Sequence, residues 1–435
     1  MRRESKTKIV LLTSVAFVWS SFAAAVFAQD AGHLPAGGNV VAGSATLSSP
    51  SGTSLLVTQS SPTAIVNWSS FSIGEGRTVR FENGAGATLN RVTGFSRSQI
   101  DGALSASGSL YIVNPNGITV GPSGVVSTGG SFVASTQAIS DQDFLAGGAL
   151  LFRGDSTASV ISYGAIGALG GDVALIARKV ENTGSISAPN GAVGLLAGYE
   201  VLIHDGALSD GKFVVKVGGA DTEARTSGVI EAASVELRAN GGNVYALSGN
   251  MRGITKATGV ANAGGRVFLT GGDGGKVDVS QKIVARGSGF GGKSRGGRIR
   301  VSAGEVKISG SLDARGESDK GGQIVVTGRD IALAMGADVD VSGTEGGTIL
   351  VGGDYQGGRS ASIRYSSESL SNAESVSVAA GASLRANGTA QGGGAVVVWS
   401  DSRTVFDGAL SATGVTQGGR CGGVWKGRAG LLGHR

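Results

Sequence analysis

Residues 287–294 read GSGFGGKS, which is Gly287, four residues, then Gly292, Lys293 and Ser294. Every position of G-x-x-x-x-G-K-[ST] is filled, the spacing that lets a loop cradle phosphates on its backbone N–H groups while the lysine and hydroxyl reach phosphate and magnesium. That chemistry also needs a buried strand before the loop, a helix after it and a separate acidic strand end. KVDVSQKIVAR supplies a strand upstream, but SRGGRIRVSAG downstream carries glycines and period-two alternation that oppose a helix. A chain with 78 glycines makes such a match cheap, and the stretch reads as a longer corner between strands.

The other chemical candidates are weaker still. GGDGGKVDV at Gly271 is close to the calcium nonapeptide G-G-x-G-x-D-x-U-x, but Lys276 stands where a carboxylate ligand belongs. His33, His204 and His434 lack the close spacing of a metal motif. Asp278, Asp313 and Asp340 fall near turns without a clear register, so the carboxylate pair of a polysaccharide-degrading enzyme stays an alternative without a site. The sequence therefore offers no catalytic, cofactor-binding or metal residue. Arg286, Lys293, Arg295, Arg298 and Arg300 form a basic cluster with no acid in it, to be read as a solvated face or as a contact for anionic polymers.

What must position all these residues is a repeat. Short alternating runs such as GRVFLTG, IRVSAG, VKISG and QIVVTG, separated by glycine turns, predict many short strands and almost no helix. Gly-Gly pairs open units of 25 residues at 296, 321 and 393, and units of 20 at Gly171, Gly191 and Gly211, the last beginning GKFVVKV. Such self-similarity indicates an all-β solenoid, a β-helix whose coils stack their Val, Ile, Leu and Ala inward because no coil buries its own inner face. An open strand edge needs cover. The aromatic stretch before residue 100, with Trp68, Phe71, Phe81 and Phe95, is expected to be an N-terminal cap plus the first coils; an aromatic carbohydrate-binding surface is the rival.

Residues 1–28 read as a signal peptide: Arg2, Arg3, Lys6 and Lys8, an apolar run to Val18, and small residues up to cleavage after Ala28. Their removal lowers the formal charge from +5 to +2, which gives no reason to expect a nucleic-acid partner. No later stretch is long enough to cross a membrane as a helix. Cys421 is the single cysteine, so no internal disulfide framework is available in an oxidising compartment.

One stretch is more specific than the rest. In residues 90–121, NRVTGFSRSQIDGALSASGSLYIVNPNGITVG, a strand SLYIV meets the tight turn Asn114-Pro115-Asn116-Gly117 and resumes at Ile118. With GGSFVAST following, it resembles the N-terminal secretion domain of the filamentous haemagglutinin family, in its branch of high-molecular-weight adhesins. The resemblance implies two-partner secretion. An exported chain crosses the periplasm unfolded, is recognised by a POTRA-bearing outer-membrane β-barrel transporter, and folds outside into a right-handed parallel β-helix at the surface of, or released from, a Gram-negative bacterium. It also implies that Asn114, Pro115, Asn116, Gly117 and Ile118 carry the secretion motif. Asn90, Arg91, Val92, Thr93 and Gly94 then occupy the place of a second motif, where this chain lacks the Asn-Pro-Asn-Leu form.

On this reading residues 29–205 are the secretion domain and 206–417 a glycine-rich shaft, with a surface receptor or glycan as the further partner. After Gly419 the sequence RCGGVWKGRAGLLGHR shows no strand pattern, so residues 418–435 are expected to be a shortened or frame-disrupted tail and the chain an adhesin or a non-functional fragment of one.

Overall fold

A computed structural model of the chain describes residues 33–208, 211–248, 254–260, 265–288, 294–360 and 362–424. The proposed leader with Ala28, and also Lys293 and His434, lie outside the described residues. Within them, coils of three short strands stack in parallel register. One column runs Leu110, Phe132, Val173, Val193, Val235. A second runs Leu104, Val126, Ile166, Ile186 and a third Ile118, Val160, Val180, Ala224. Alternation explains the arrangement, because every second side chain points into the coil, where it meets its counterparts above and below.

The interior is one continuous cluster from Leu55 to Val398. At its N-terminal end the strand Asn39–Ala42 pairs antiparallel with Thr63–Trp68, and Ala45–Ser51 pairs antiparallel with Ser54–Gln59, which covers the first coils. Trp68 packs edge-on against Phe71, which stacks on Phe81 at 6.5 Å. These three rings are buried, so they cannot present a carbohydrate-binding surface. Phe95 is the exception to the cap reading: it is 96% exposed.

The expected 20-residue unit at Gly211 is corrected. Val173 does stand on Val193, but Val193 stands on Val235. Gly211–Val217 leaves the coil and pairs antiparallel with Glu200–Leu208, which also pairs with Leu150–Arg153. GKFVVKV alternates like any coil strand, so sequence could not tell which sheet it joins. This small sheet covers the outer face of the first column, burying Ile65, Leu89, Ile176 and Leu196 beneath Phe152, Val201 and Phe213. Glu236 ties it down, accepting from the amides of Lys212 at 2.6 Å and Phe213 at 3.1 Å and from Arg238 Nε at 2.9 Å. Burial pushes its carboxyl above the ordinary range, against the pull of Arg238 and the two amides.

In the shaft Ile299 stands on Ile324 and Ile324 on Ile349, which is the 25-residue repeat. Asp313 and Asp340 are Cα partners with Arg385 next, while Asp278 belongs to another column and pairs with Lys307. The expectation of no register is thus replaced by a charge ladder. The basic cluster is not free of acid either, because acids arrive from other coils. Arg286 meets Asp313 at 2.8 Å and also Glu317, and Arg300 meets Glu368 at 2.5 Å.

The described flanks of GSGFGGKS close an antiparallel hairpin, with Arg286 opposite Gly296, Gly287 opposite Arg295 and Ser288 opposite Ser294. A strand stands where a phosphate site needs a helix N-terminus. The tail is corrected as well: Arg420–Val424 is a parallel strand, with Cys421 on Val396, so the stack continues past Gly419. Alternation failed there because glycines occupy two of its five positions.

Candidate functional site

NRVTG begins inside the coil. Asn90 is fully buried and sits in the inward column between Val66 and Ile112. A polar side chain there is tolerable only if bonded. Trp68 Nε1 donates to its Oδ1 at 2.9 Å, and its Nδ2 donates to the Tyr111 carbonyl at 3.2 Å. Val92 points inward and is buried in the core, while Arg91, Thr93 and Gly94 make the corner. Arg91 donates to the Ile139 carbonyl at 3.1 Å and meets the Asp141 carboxylate at 2.6 Å, at the start of the helix Asp141–Ala146. Thr93 Oγ1 donates to the Trp68 carbonyl at 3.0 Å, and Gly94 lies against the Ser69 carbonyl so closely that no Cβ fits.

NPNGI is a locked corner. Asn114 is fully buried and uses both ends of its amide: Nδ2 donates to the Ser96 carbonyl at 3.0 Å and to Ser98 Oγ at 2.9 Å. Its Oδ1 accepts from the Asn116 amide at 2.9 Å and from Asn116 Nδ2 at 3.0 Å. The Gly117 amide closes the turn on the Asn114 carbonyl at 3.1 Å, and its φ of 107° is open only to glycine. Ile118 is buried and Pro115 faces solvent.

The two motifs are joined directly. Asn116 Nδ2 donates to the Gly94 carbonyl at 2.8 Å, across 22 residues of chain and one coil. Two further residues that sequence reasoning missed hold the corner from below: Ser156 Oγ donates to the Pro115 carbonyl at 2.7 Å, and Gln137 Nε2 donates to the Ser156 carbonyl at 3.1 Å. Gln137 is fully buried. Only its place in the STQ run after GGSFVA marked it, because the loop that brings Ser156 to the turn has no strand period.

The arrangement has no acid–base or nucleophilic geometry; it is a rigid pair of turns with an apolar knob. Phe95 follows Gly94 and projects into solvent beside Thr93 and Arg97, all exposed. Replacing Phe95 with alanine is expected to change stability by less than about 0.5 kcal/mol, measured as an unmoved urea midpoint. Export reduced by that variant would mark the ring as a contact rather than a support. Among the described residues no group of three His, Cys, Asp or Glu could hold a metal ion, and His33 and His204 do not come together into one.

The TPS secretion domain family matches residues 31–279. A heme/hemopexin-binding protein of Haemophilus influenzae is 31% identical over 283 residues, which is 62% of this chain and 30% of that protein. A second Haemophilus influenzae protein of that description is 38% identical over 82 residues, 18% of this chain and 9% of its own length. The chain thus spans less than a third of the curated relatives it matches. Among solved structures, the HMW1 secretion domain from Haemophilus influenzae superposes with a TM-score of 0.63 at 29% identity, covering 89% of this chain and 94% of that one.

Proposed function

Since this chain belongs to the TPS secretion domain family and carries the secretion domain of a two-partner exoprotein, we propose that an outer-membrane, POTRA-bearing β-barrel recognises it through residues 29–205. The shaft of residues 206–417 then serves as an adhesin-like stalk that carries a ligand-binding surface outside the cell. The leader ending at Ala28 takes the chain into the periplasm, and folding follows translocation. In this reading Asn90 to Gly94 and Asn114 to Ile118 act as one unit, the first by seating a corner and the second by locking it.

The observation that carries the reading is the Asn116 to Gly94 bond at 2.8 Å, because it makes one paired corner of two motifs. A solenoid folds by adding coils to a formed neighbour, so a corner that fixes the register between two coils is a natural starting point once the chain emerges. Asn116→Ala removes the link while leaving the buried Asn114 in place. Its export, measured as secreted against periplasmic protein in cells that carry the transporter, is expected to fall several-fold. Undiminished export would overturn the assignment of the motif.

A further inference from the structure

Among the described residues of the shaft, one corner carries a long insertion. Ile324 stands on Ile349 at the 25-residue step, but Ile349 stands on Val396, a turn nearly twice as long. The additional residues, 352–372, read GGDYQGGRSASIRYSSESLSN. Tyrosine, serine, glycine, asparagine and arginine are the residues that recognition loops favour, and insertions in solenoids collect on binding faces.

This loop is anchored. Tyr355, Tyr365 and Leu370 pack on the outer side of the shaft against Val325, Leu350, Val397 and Trp399. Asp354 is buried and accepts from the amides of Tyr355 at 2.7 Å, Tyr365 at 3.1 Å and Ser366 at 3.0 Å. Glu368 turns back to Arg298 at 3.5 Å and Arg300 at 2.5 Å. Of the loop's two acids, Asp354 is therefore buried, and Glu368, 34% exposed, is taken up by two arginines of the shaft.

Its cations face outward. The Arg359 side chain is 72% exposed and only 3.9 Å from its nearest acid, Asp401. Arg364 is exposed, donates to the Gly358 carbonyl at 3.4 Å, and has no carboxylate in ion-pair range among the described residues. Gln356 lies in the same loop at φ 53°, the one non-glycine residue of positive φ among the described residues. Such strain collects at ligand clamps.

We propose that this loop binds a carboxylate-bearing polysaccharide, with Arg359 and Arg364 as the two forks that grip acid groups along the chain. A guanidinium matches a carboxylate with two parallel hydrogen bonds where a lysine offers a point charge. Tyr355 and Tyr365 of the same loop are only half-buried against the shaft, which leaves part of their apolar surface for sugar faces. An acidic protein partner fits less well, because a stable protein interface needs roughly 800 Å² from each side and this is a single protruding loop. The proposal deepens the stalk reading above and rests on it for the place where the ligand is met.

The test is direct binding of the purified full chain to immobilised polygalacturonate, repeated over a range of salt. Arg359→Ala combined with Arg364→Ala is expected to weaken binding about 10- to 100-fold, with an unchanged urea midpoint. Arg359→Lys with Arg364→Lys keeps the charge and is expected to restore only a minor part. Undiminished binding by the alanine pair overturns the proposal, as does failure of the wild-type chain to bind either polygalacturonate or alginate. Full binding by the lysine pair, or equal binding to dextran sulfate, reduces the effect to simple charge attraction and overturns it too. Binding to poly-glutamate as tight as to polygalacturonate overturns the polysaccharide assignment. Export of the same variants is expected to be normal, so a binding failure counts against the loop and an export failure against the secretion reading.

Discussion

Replacing Asn114 with alanine is expected to destabilise the corner at residues 90–118 by about 3 kcal/mol, the scale for stranding buried polar groups and leaving a cavity. The cost is concentrated because one side chain satisfies four partners. Its loss strands the Ser98 hydroxyl inside the coil and frees both the amide and the side chain of Asn116, which is the link to Gly94. Asn114→Asp makes a useful companion, since its carboxylate still accepts from Asn116 but has no group to donate to Ser96 and Ser98. The measurement is a urea titration followed by amide exchange at Asn116 and Gly117. The expected result is early exchange there, with the distant shaft unaffected, because a solenoid's coils are stabilised by their neighbours. Exchange at these amides as slow as in the wild type would show that the backbone turn holds without the side chain. Export of Asn114→Ala is expected to fall at least as far as that of Asn116→Ala.

Acid is expected to unlock the charge ladder of the shaft, and Asp313 sets where. The Asp313 side chain is 3% exposed and is held by Arg286 at 2.8 Å and Arg315 at 2.8 Å, with Lys282 at 3.8 Å. Burial pushes its carboxyl up, but the hydrogen bonds from Arg315 and Arg286 outweigh burial and hold it at about 2, below the ordinary 3.8. A carboxyl depressed in the folded state contributes stability that is fully present above 3.8 and disappears as pH falls through about 2. The linked contribution is at most about 2.5 kcal/mol, from 1.36 kcal/mol for each pH unit of displacement. Asp313→Ala goes further at neutral pH, since it leaves the half-buried Arg286 with only the exposed Glu317 and the exposed Arg315 with only Asp340 at 4.0 Å, with an expected cost of about 3 kcal/mol. Denaturant midpoints of wild type and Asp313→Asn between pH 2 and pH 5 check the sign. The wild-type curve is expected to fall toward acid in that window, and the variant curve to start lower and be flatter. Parallel curves would remove Asp313 from the account.

The sequence carried the class of fold because each link was local. Alternation in QIVVTG and KVDVS placed inward residues, and the step from Gly296 to Gly321 placed the next coil beneath. What it could not carry is which strand joins which sheet. GKFVVKV has the same alternation as a coil strand, yet Phe213 and Val215 face the outside of the coil, and only the antiparallel pairing with Glu200–Leu208 decides that. The same limit hid the acids of the basic cluster, since Glu317 reaches Arg286 from the next coil and Glu368 reaches Arg300 from the loop of a later one. At the corner both motifs were visible as residues, and their joining was not. Asn116 and Gly94 become neighbours only when the intervening coil closes, and Ser156 arrives from a longer loop whose length has no periodic signal. Phe95 misled because ring size favours burial while its position after Gly94 directs it out.

The in-register stack has a consequence for how such a chain changes length over generations. Where Ile299, Ile324 and Ile349 stand directly on one another, unequal crossing-over between equivalent codons removes or adds one whole turn and leaves both cut surfaces matched. A cut that joins non-equivalent strand positions rotates the downstream faces against the upstream ones and turns apolar side chains to solvent, whereas length added in a corner, as at residues 352–372, leaves Ile349 standing on Val396. The gene can therefore lengthen or shorten its product in discrete steps, as a ladder loses or gains rungs, with the paired corner of residues 90–118 untouched.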